Sequence, residues 1–363
     1  MARYVGIRHR VKMTATGESS PTQVVIRQDN QVIVRIIETE EDELEFVLKE
    51  VQKGDVFAML LGGSGDYLAY ALSRQAEKVG AIVLRIPPFE FANRRENGVK
   101  DADAVFLSEL VQNSPHLFYA VTNRDRDLIS VREALFARQD AMKARMACEQ
   151  RIRSRVIGQV FCRPDGLYPE GGIEKMYDAA KANDVILAAL VKEEARRNSD
   201  LAKAVERLDV YQTIFKPIEG VGPRIAASII GGVIDIRRFA NDAKFKAYCG
   251  VHVLPDGRFA RKRAGAVANW NADIRQALVL VAQQFQYRPG SFWGVYLRQM
   301  KAKLRAKHPE PVTIDGKRRY TDSHINKMAE WRTLTRFVER LHREWWKLEL
   351  SHARSDESEQ EAA

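Results

Sequence analysis

Two apolar runs flank a polar turn in residues 23–37, whose sequence is QVVIRQDNQVIVRII. Gln23–Ile26 and Val32–Ile37 are rich in β-branched residues, and the five residues between them are polar. The pattern predicts two strands joined by a turn. Tyr4–Val11 precedes them as a first strand, and Glu40–Val51 follows them with the period of a helix.

The alternation of strands and helices continues to residue 126. Phe57–Leu61 and Ala81–Ile86 are short apolar runs typical of strands, whereas Asp66–Val79 and Asp101–Gln112 have helical periods. Three strands followed by helix, strand, helix and strand is the order found in ribonuclease H-like domains, although many short α/β domains have a similar order. One face of the helix 40–51 is apolar, and we expect it to be buried: Leu44, Val47, Leu48 and Val51.

Helical patterns occupy the remainder of the chain, so the predicted fold class is α/β plus α. Residues 127–215 predict an antiparallel helical pair, either a coiled-coil arm or two ordinary packed helices. Residues 216–349 predict a basic helical domain. The acidic residues 350–363 predict a disordered tail.

The basic charge of the chain is confined to one segment. The whole sequence has a net charge of +10, but residues 216–349 hold 26 Lys and Arg against 12 Asp and Glu. A basic surplus favours nucleic acid as partner. No apolar stretch approaches the roughly 18 residues of a membrane span. The three cysteines form no Cys-x-x-Cys pair, and no signal segment is evident, so we expect a cytoplasmic, nucleoid-associated protein.

Residues 220–223, Gly-Val-Gly-Pro, open the basic segment and precede an apolar helical run. Gly220 and Gly222 permit a tight turn, and Pro223 suits the first position of a helix. The form is that of a helix-hairpin-helix, in which backbone N–H groups and the helix dipole hold a phosphate. A plain turn between helices is the alternative. Gly62-Gly63-Ser64-Gly65 lacks the lysine of a P-loop and is interpreted as a turn.

Cations and aromatic residues alternate through the basic segment. Cations neutralise phosphates, and exposed aromatic rings stack on unpaired bases. A solvated helical face with tryptophans in the core is the alternative for any single residue. The sequence predicts phosphate contacts by Arg224, Arg258, Arg261, Lys262, Arg263 and Arg275. Trp270, Trp293, Tyr296 and Trp331 are the interleaved aromatic residues.

The sequence resembles a known family over nearly its whole length to about residue 348. The strongest segments are 218–223 (IEGVGP), 235–239 (DIRRF), 247–251 (AYCGV) and 271–278 (NADIRQAL). Together they resemble the DEDD-type insertion-sequence transposases related to the Piv DNA invertase. That resemblance implies a RuvC-like, ribonuclease H-like domain and a serine-bearing transposase domain. It also implies binding of element-end DNA, a structured guide RNA in many members, and recombination with divalent metal.

The catalytic positions of that family are altered in this chain. Arg8 and Gly62 stand where the resemblance implies an aspartate and a glutamate, and Lys100 stands at the first aspartate of the Asp-x-x-Asp-Ala motif, so that only Asp103 remains. Asp256 stands at the serine. Two Mg²⁺ ions about 4 Å apart need several convergent carboxylates, so these changes predict that transposition chemistry is lost and that no cofactor is bound.

Other interpretations stay open at this point. An active recombinase could use Mg²⁺ in a rearranged site built from Asp66, Asp101 and Asp103. The cations Arg8 and Lys100 could instead bind a phosphate directly, or reflect drift in an unused site. A scaffold that binds proteins and no nucleic acid is a third possibility. The resemblance further implies a dimer or tetramer formed through the helical arm, with DNA as partner.

Overall fold

A computed structural model describes residues 2–10, 19–29, 31–95, 102–167, 170, 172–254, 258–262, 268–314 and 316–362. Its strands are β1 Tyr4–Arg8, β2 Thr22–Gln28, β3 Gln31–Ile37, β4 Val56–Leu60, β5 Ile82–Ile86, β6 Tyr119–Ala120, β7 Val312–Ile314 and β8 Lys317–Arg319. Its helices are α1 Glu40–Lys49, α2 Asp66–Val79, α3 Pro88–Arg94, α4 Asp103–Asn113, α5 Asn123–Phe161, α6 Gly172–Asn183, α7 Val185–Glu206, α8 Pro223–Val233, α9 Asp242–Tyr248, α10 Ala272–Tyr287, α11 Phe292–Lys307 and α12 Asp322–Ala362.

The N-terminal strands form one mixed sheet in the order β3-β2-β1-β4-β5-β6. β1, β4 and β5 are parallel, whereas β2, β3 and β6 pair antiparallel with their neighbours. Successive residues of a strand face opposite sides, so Phe57 and Met59 pack with α1 and α2, while Ala58 packs with α3 and α4. The order β1β2β3α1β4α2β5 matches the order predicted from the sequence.

Two antiparallel helices project as the arm. A capping box at Thr122 and Asp125 starts α5, which runs for 39 residues, or about 58 Å. Arg145 of α5 pairs with Glu194 of α7 at 2.5 Å, and Arg155, farther along α5, pairs with Asp184 at the start of α7. The reversed order of these partners makes the two helices antiparallel, as the sequence predicts.

The C-terminal helices and the base of the arm share one hydrophobic core. Leu128, Val131 and Leu135 of α5 belong to the same buried cluster as α8, α10 and α12. Trp345 of α12 is fully buried in that cluster, against Phe215. The base of the arm is therefore part of the helical domain, and the arm's outer half has a small core of its own.

A buried network of ion pairs joins the sheet to the helical domain. Arg85 of β5 lies 3.0 Å from Asp66 of α2 and 3.1 Å from Asp125 at the start of α5. Arg237 lies 3.0 Å from the same Asp125 oxygen and 3.8 Å from Glu349 of α12. These side chains are all at least nine-tenths buried, so the network lies in the interior of the protein, between the sheet and the helical domain.

The expected buried face of α1 needs correction. Leu44 and Leu48 are exposed, because α1 turns Glu43, Phe46 and Val47 inward instead. The buried Glu43 is held there by polar partners, which periodicity of apolar residues does not register. Helix α12 extends to Ala362, over the residues predicted as an acidic tail, and these residues include Glu, Gln and Ala but no Gly or Pro. None of the helices among the described residues has the length and apolar character that crossing a membrane requires.

Candidate nucleic-acid interface

The N-terminus of α8 lies open at the surface. Pro223 is the first helical residue, and Gly222 is its extended N-cap, which has no side chain to accept from the first turn. Gly220 has a φ of +87°, a left-handed conformation that favours glycine. Uncapped N–H groups at a helix N-terminus attract anions through their own polarity and the helix dipole. Arg224 is exposed in the first turn of this helix, so a cation accompanies the amides.

Arg288 is a second cation at this turn, and the sequence interpretation missed it. Its Nη1 lies 2.8 Å from the place where a Cβ on Gly220 would stand, so only glycine lets the guanidinium approach so closely. The same guanidinium donates to Gln284, one turn back on α10. The only local signal was an arginine at the end of a helical run before Pro289-Gly290. The geometry combines open amides with two arginines from different helices.

Arg275 has a different setting from the one predicted. Its guanidinium lies 4.3 Å from the ring centre of Trp270 and 4.8 Å from that of Trp331, and it donates to Ala260 O at 2.7 Å. Burial lowers the pKa of Arg275. The side chain therefore fixes the segment 258–262 against α10 and α12 through two cation–π contacts. In this position it orients neighbouring cations more readily than it contacts a phosphate.

The segment 258–262 and the β7–β8 hairpin meet near His324. Burial lowers the pKa of His324, and the charges of Arg319 and Arg261 lower it further. Tyr320 stacks between His308 and His324, at ring separations of 3.8 and 5.6 Å. Arg258, Arg261 and Lys262 are exposed. Cations and a stacked aromatic column thus share this surface. Trp293, in contrast, is buried against Phe285 and Phe337 and takes no part in it.

Among the described residues of the N-terminal domain, the carboxylates do not converge on a metal site. Asp66 is buried between Arg85 at 3.0 Å and Arg132 at 2.9 Å, and Asp103 pairs with Arg95 at 2.5 Å. Arg8 ends β1, and Gly62 follows β4 at the same edge of the sheet. Among the described residues no group of three or more His, Cys, Asp or Glu side chains can hold a metal. The described residues at these positions do not fit the two-metal centre that the resemblance implies.

Four of the predicted positions lie outside the described residues. They are Lys100, Asp101, Asp256 and Arg263.

The N-terminus of α8 lies inside a segment that matches a model of a known protein family. Residues 212–291 match a family model described as Transposase IS116/IS110/IS902 family. A search of curated proteins finds no match. The matched segment contains α8, α10 and the arginines at the Gly220 turn. Over these residues, the chain is similar to the insertion-sequence transposases of the IS116/IS110/IS902 family.

Proposed function

We propose that the protein is a transposase-type, DNA-binding protein that has lost the metal-dependent chemistry of transposition. The observation that carries this proposal is the uncapped N-terminus of α8, flanked by Arg224 and Arg288, inside the segment that matches the transposase model. Backbone amides and arginines at a helix start hold phosphates without reading the sequence of bases. The turn at residues 218–223 followed by α8 serves as the phosphate-binding half of a helix-hairpin-helix.

The N-terminal domain is proposed to be ribonuclease H-like, of the RuvC type. The element order and the parallel β1–β4–β5 core support this assignment. The loss of metal-dependent chemistry is supported by Asp66, whose two oxygens are each occupied by an arginine. Releasing this carboxylate for a metal would leave Arg85 buried without one of its two partners, which is costly.

Salt dependence of DNA binding tests the proposal. Binding of the full chain to a fluorescent duplex is measured by anisotropy between 50 and 400 mM NaCl. The double variant Arg224→Gln/Arg288→Gln loses two phosphate contacts, so the slope of log K against log salt should fall by about 2. Arg196→Gln is the matched control, an arginine exposed on the arm that should leave the slope unchanged. An unchanged slope in the double variant, or no DNA binding by the wild type at 50 mM NaCl, contradicts the proposal.

The alternative active recombinase predicts strand cleavage with Mg²⁺ or Mn²⁺ that Asp103→Ala abolishes. The ion pair of Asp103 with Arg95 argues against it.

A structured RNA is proposed as a second nucleic-acid ligand, because the stacked column at Tyr320 beside Arg261 and Arg319 suits unpaired bases. Sequencing the nucleic acid that co-purifies with the full chain identifies it; recovery of duplex DNA alone contradicts this part of the proposal.

We propose further that copies of the chain assemble as a dimer or tetramer through the arm. Phe161 ends α5 and Leu167 follows it in the turn at the tip of the arm; both side chains are 66% exposed and are available for an apolar contact. Phe161→Glu should therefore lower the molecular mass measured by light scattering. The edge strand β3 also exposes Val34. A mass lowered by Val34→Glu and unaffected by Phe161→Glu would move the interface from the arm to the sheet.

A further inference from the structure

Three side chains from separate elements form a hydrogen-bonded chain at the carboxyl ends of β1 and β4. Ser64 Oγ lies 2.9 Å from His9 Nδ1, and His9 Nε2 lies 3.3 Å from Glu43 Oε1. When Nε2 carries the proton and donates it to Glu43, Nδ1 is an acceptor for the Ser64 hydroxyl. A nucleophile, a base and an orienting acid in this sequence are the arrangement that activates a serine.

The acid of this chain is firmly held. Glu43 is 7% exposed, and it accepts from Thr22 Oγ1 at 2.5 Å and from Arg10 Nη2 at 3.1 Å. Burial acts to raise the pKa of Glu43, but hydrogen bonds from His9 and Thr22 and the charge of Arg10 hold it below its ordinary value. Glu43 therefore remains a carboxylate that can fix the ring orientation of His9.

The loop that carries Ser64 has the geometry of a strand–turn–helix nucleophile. Gly62 and Gly63 have φ values of +83° and +90°, which turn the chain sharply after β4. Ser64 is exposed at the crest, and α2 begins two residues later with Gly65 as an N-cap that makes no side-chain hydrogen bond. Such a turn presents the hydroxyl next to the amides of a helix N-terminus, which stabilise a developing oxyanion.

The surroundings of Ser64 are cationic. Arg238 Nε lies 2.5 Å from the place where a Cβ on Gly62 would stand, so the glycine admits a guanidinium to the base of the loop. Arg8 is the last residue of β1, and His9 follows it directly. In the resting structure Ser64 Oγ donates to Arg10 O at 3.0 Å, so its hydroxyl has to turn from this carbonyl to His9 Nδ1 before the proton is transferred. The guanidinium of Arg238 at the base of this loop favours an anionic substrate over a neutral ester.

We propose that Ser64 is a metal-independent nucleophile toward phosphodiesters, with His9 as its general base and Glu43 as a positioning residue. This inference rests on the proposed binding of nucleic acid. Ser64 Oγ attacks phosphorus, so that an Oγ–P bond forms and a P–O bond to one sugar breaks. The hydroxyl proton passes to His9 Nδ1 and then to the departing sugar oxygen. The product is a phosphoserine-linked strand, and the reverse step releases it without a further reactant.

A fluorophosphonate probe tests the activated serine without any need for DNA. The Ser64 oxygen displaces fluoride from phosphorus, and peptide mass spectrometry locates the adduct. We expect labelling of the folded full chain at Ser64, none in Ser64→Ala, and a rate at least 100-fold lower in His9→Gln. Arg196→Gln, on the exposed face of the arm, should be labelled at the wild-type rate. Because the probe is not a nucleic acid, the labelling result does not depend on whether the chain binds DNA. No labelling of the wild type, or undiminished labelling of His9→Gln, overturns the proposal.

Two further measurements address the positioning residue and the substrate. The ¹⁵N shifts of the His9 ring should show a changed tautomer ratio in Glu43→Gln, which a purely structural role would not produce. With a nicked duplex in EDTA, the wild type should form a detergent-stable adduct at Ser64. Fluorophosphonate labelling accompanied by turnover of p-nitrophenyl acetate, and by no DNA adduct, would overturn the assignment to phosphodiesters.

Discussion

Replacing Arg237 by methionine tests the buried network at the junction of the sheet and the helices. Arg237 lies 2.6 Å from Asp235, 3.0 Å from Asp125 and 3.8 Å from Glu349. Methionine keeps much of the side-chain volume and removes the charge, so three carboxylates lose a shared cation. Asp125 retains Arg85, which moderates the loss. Breaking a buried ion pair from one side costs about 3–5 kcal/mol, and we expect a loss of stability in this range.

Urea unfolding followed by tryptophan fluorescence measures the loss, since Trp345 is buried beside Glu349. With m about 3 kcal/mol per molar urea, the midpoint should fall by about 1–1.7 M. Arg336→Met is the matched control, because the exposed pair of Arg336 with Glu339 is worth about 0–1 kcal/mol. A midpoint for Arg237→Met within 0.3 M of the control, a shift of about 1 kcal/mol at that m, would refute a stabilising role for the network.

The same variant has a pH dependence with a definite sign. Burial raises the pKa of Glu349, and Arg237 partly opposes this shift. A carboxyl with a raised folded-state pKa contributes stability below its unfolded pKa and loses that contribution as pH rises through the folded value. Removing Arg237 raises the folded pKa of Glu349 further. The difference in stability between wild type and Arg237→Met should thus be smaller at pH 5 than at pH 8; a difference that grows on acidification contradicts this reasoning.

Two other predictions concern the thiols and a helix cap. Cys162 is exposed, whereas Cys148 and Cys249 are buried, and burial raises the pKa of the Cys249 thiol. Ellman's reagent should therefore titrate one thiol in the native chain and three in guanidinium. More than one reactive native thiol contradicts the packing described. Thr39→Ala removes the side chain that accepts from Asp42 N at the start of α1 and should cost about 1 kcal/mol in urea unfolding, whereas no measurable change would show the cap to be dispensable.

Helices whose ends are marked by glycine or proline were predictable from the sequence. α2 spans Asp66–Val79 in both prediction and structure, because Gly65 and Gly80 stop the helical pattern at either end. The first turn of α8 was predictable for a similar reason, since Pro223 follows a flexible glycine and has no N–H to lose. These helix boundaries depend on the conformational preferences of neighbouring residues, which can be read from a single sequence.

Features that depend on distant partners were not predictable. The exposure of Leu44 follows from the burial of Glu43, whose partners Thr22 and Arg10 come from other elements. The contact of Ser64 with His9 joins residues 55 positions apart, and neither residue type carries a spacing signal for it. The turn at Gly220 and the helix start at Pro223 were predicted, but the approach of Arg288 was missed because nothing in residues 284–290 indicates which turn it approaches.

The shared carboxylate Asp125 has a mechanical consequence for the arm. Asp125 belongs to the first turn of α5, yet its partners Arg85 and Arg237 belong to the sheet and to the helical domain. A helix anchored on both sides at its root cannot swivel without separating buried charges. The part of the arm beyond this root therefore behaves as a rigid lever. Any force applied at its tip, by a second molecule or by bound DNA, is delivered as torque to the boundary between the two domains.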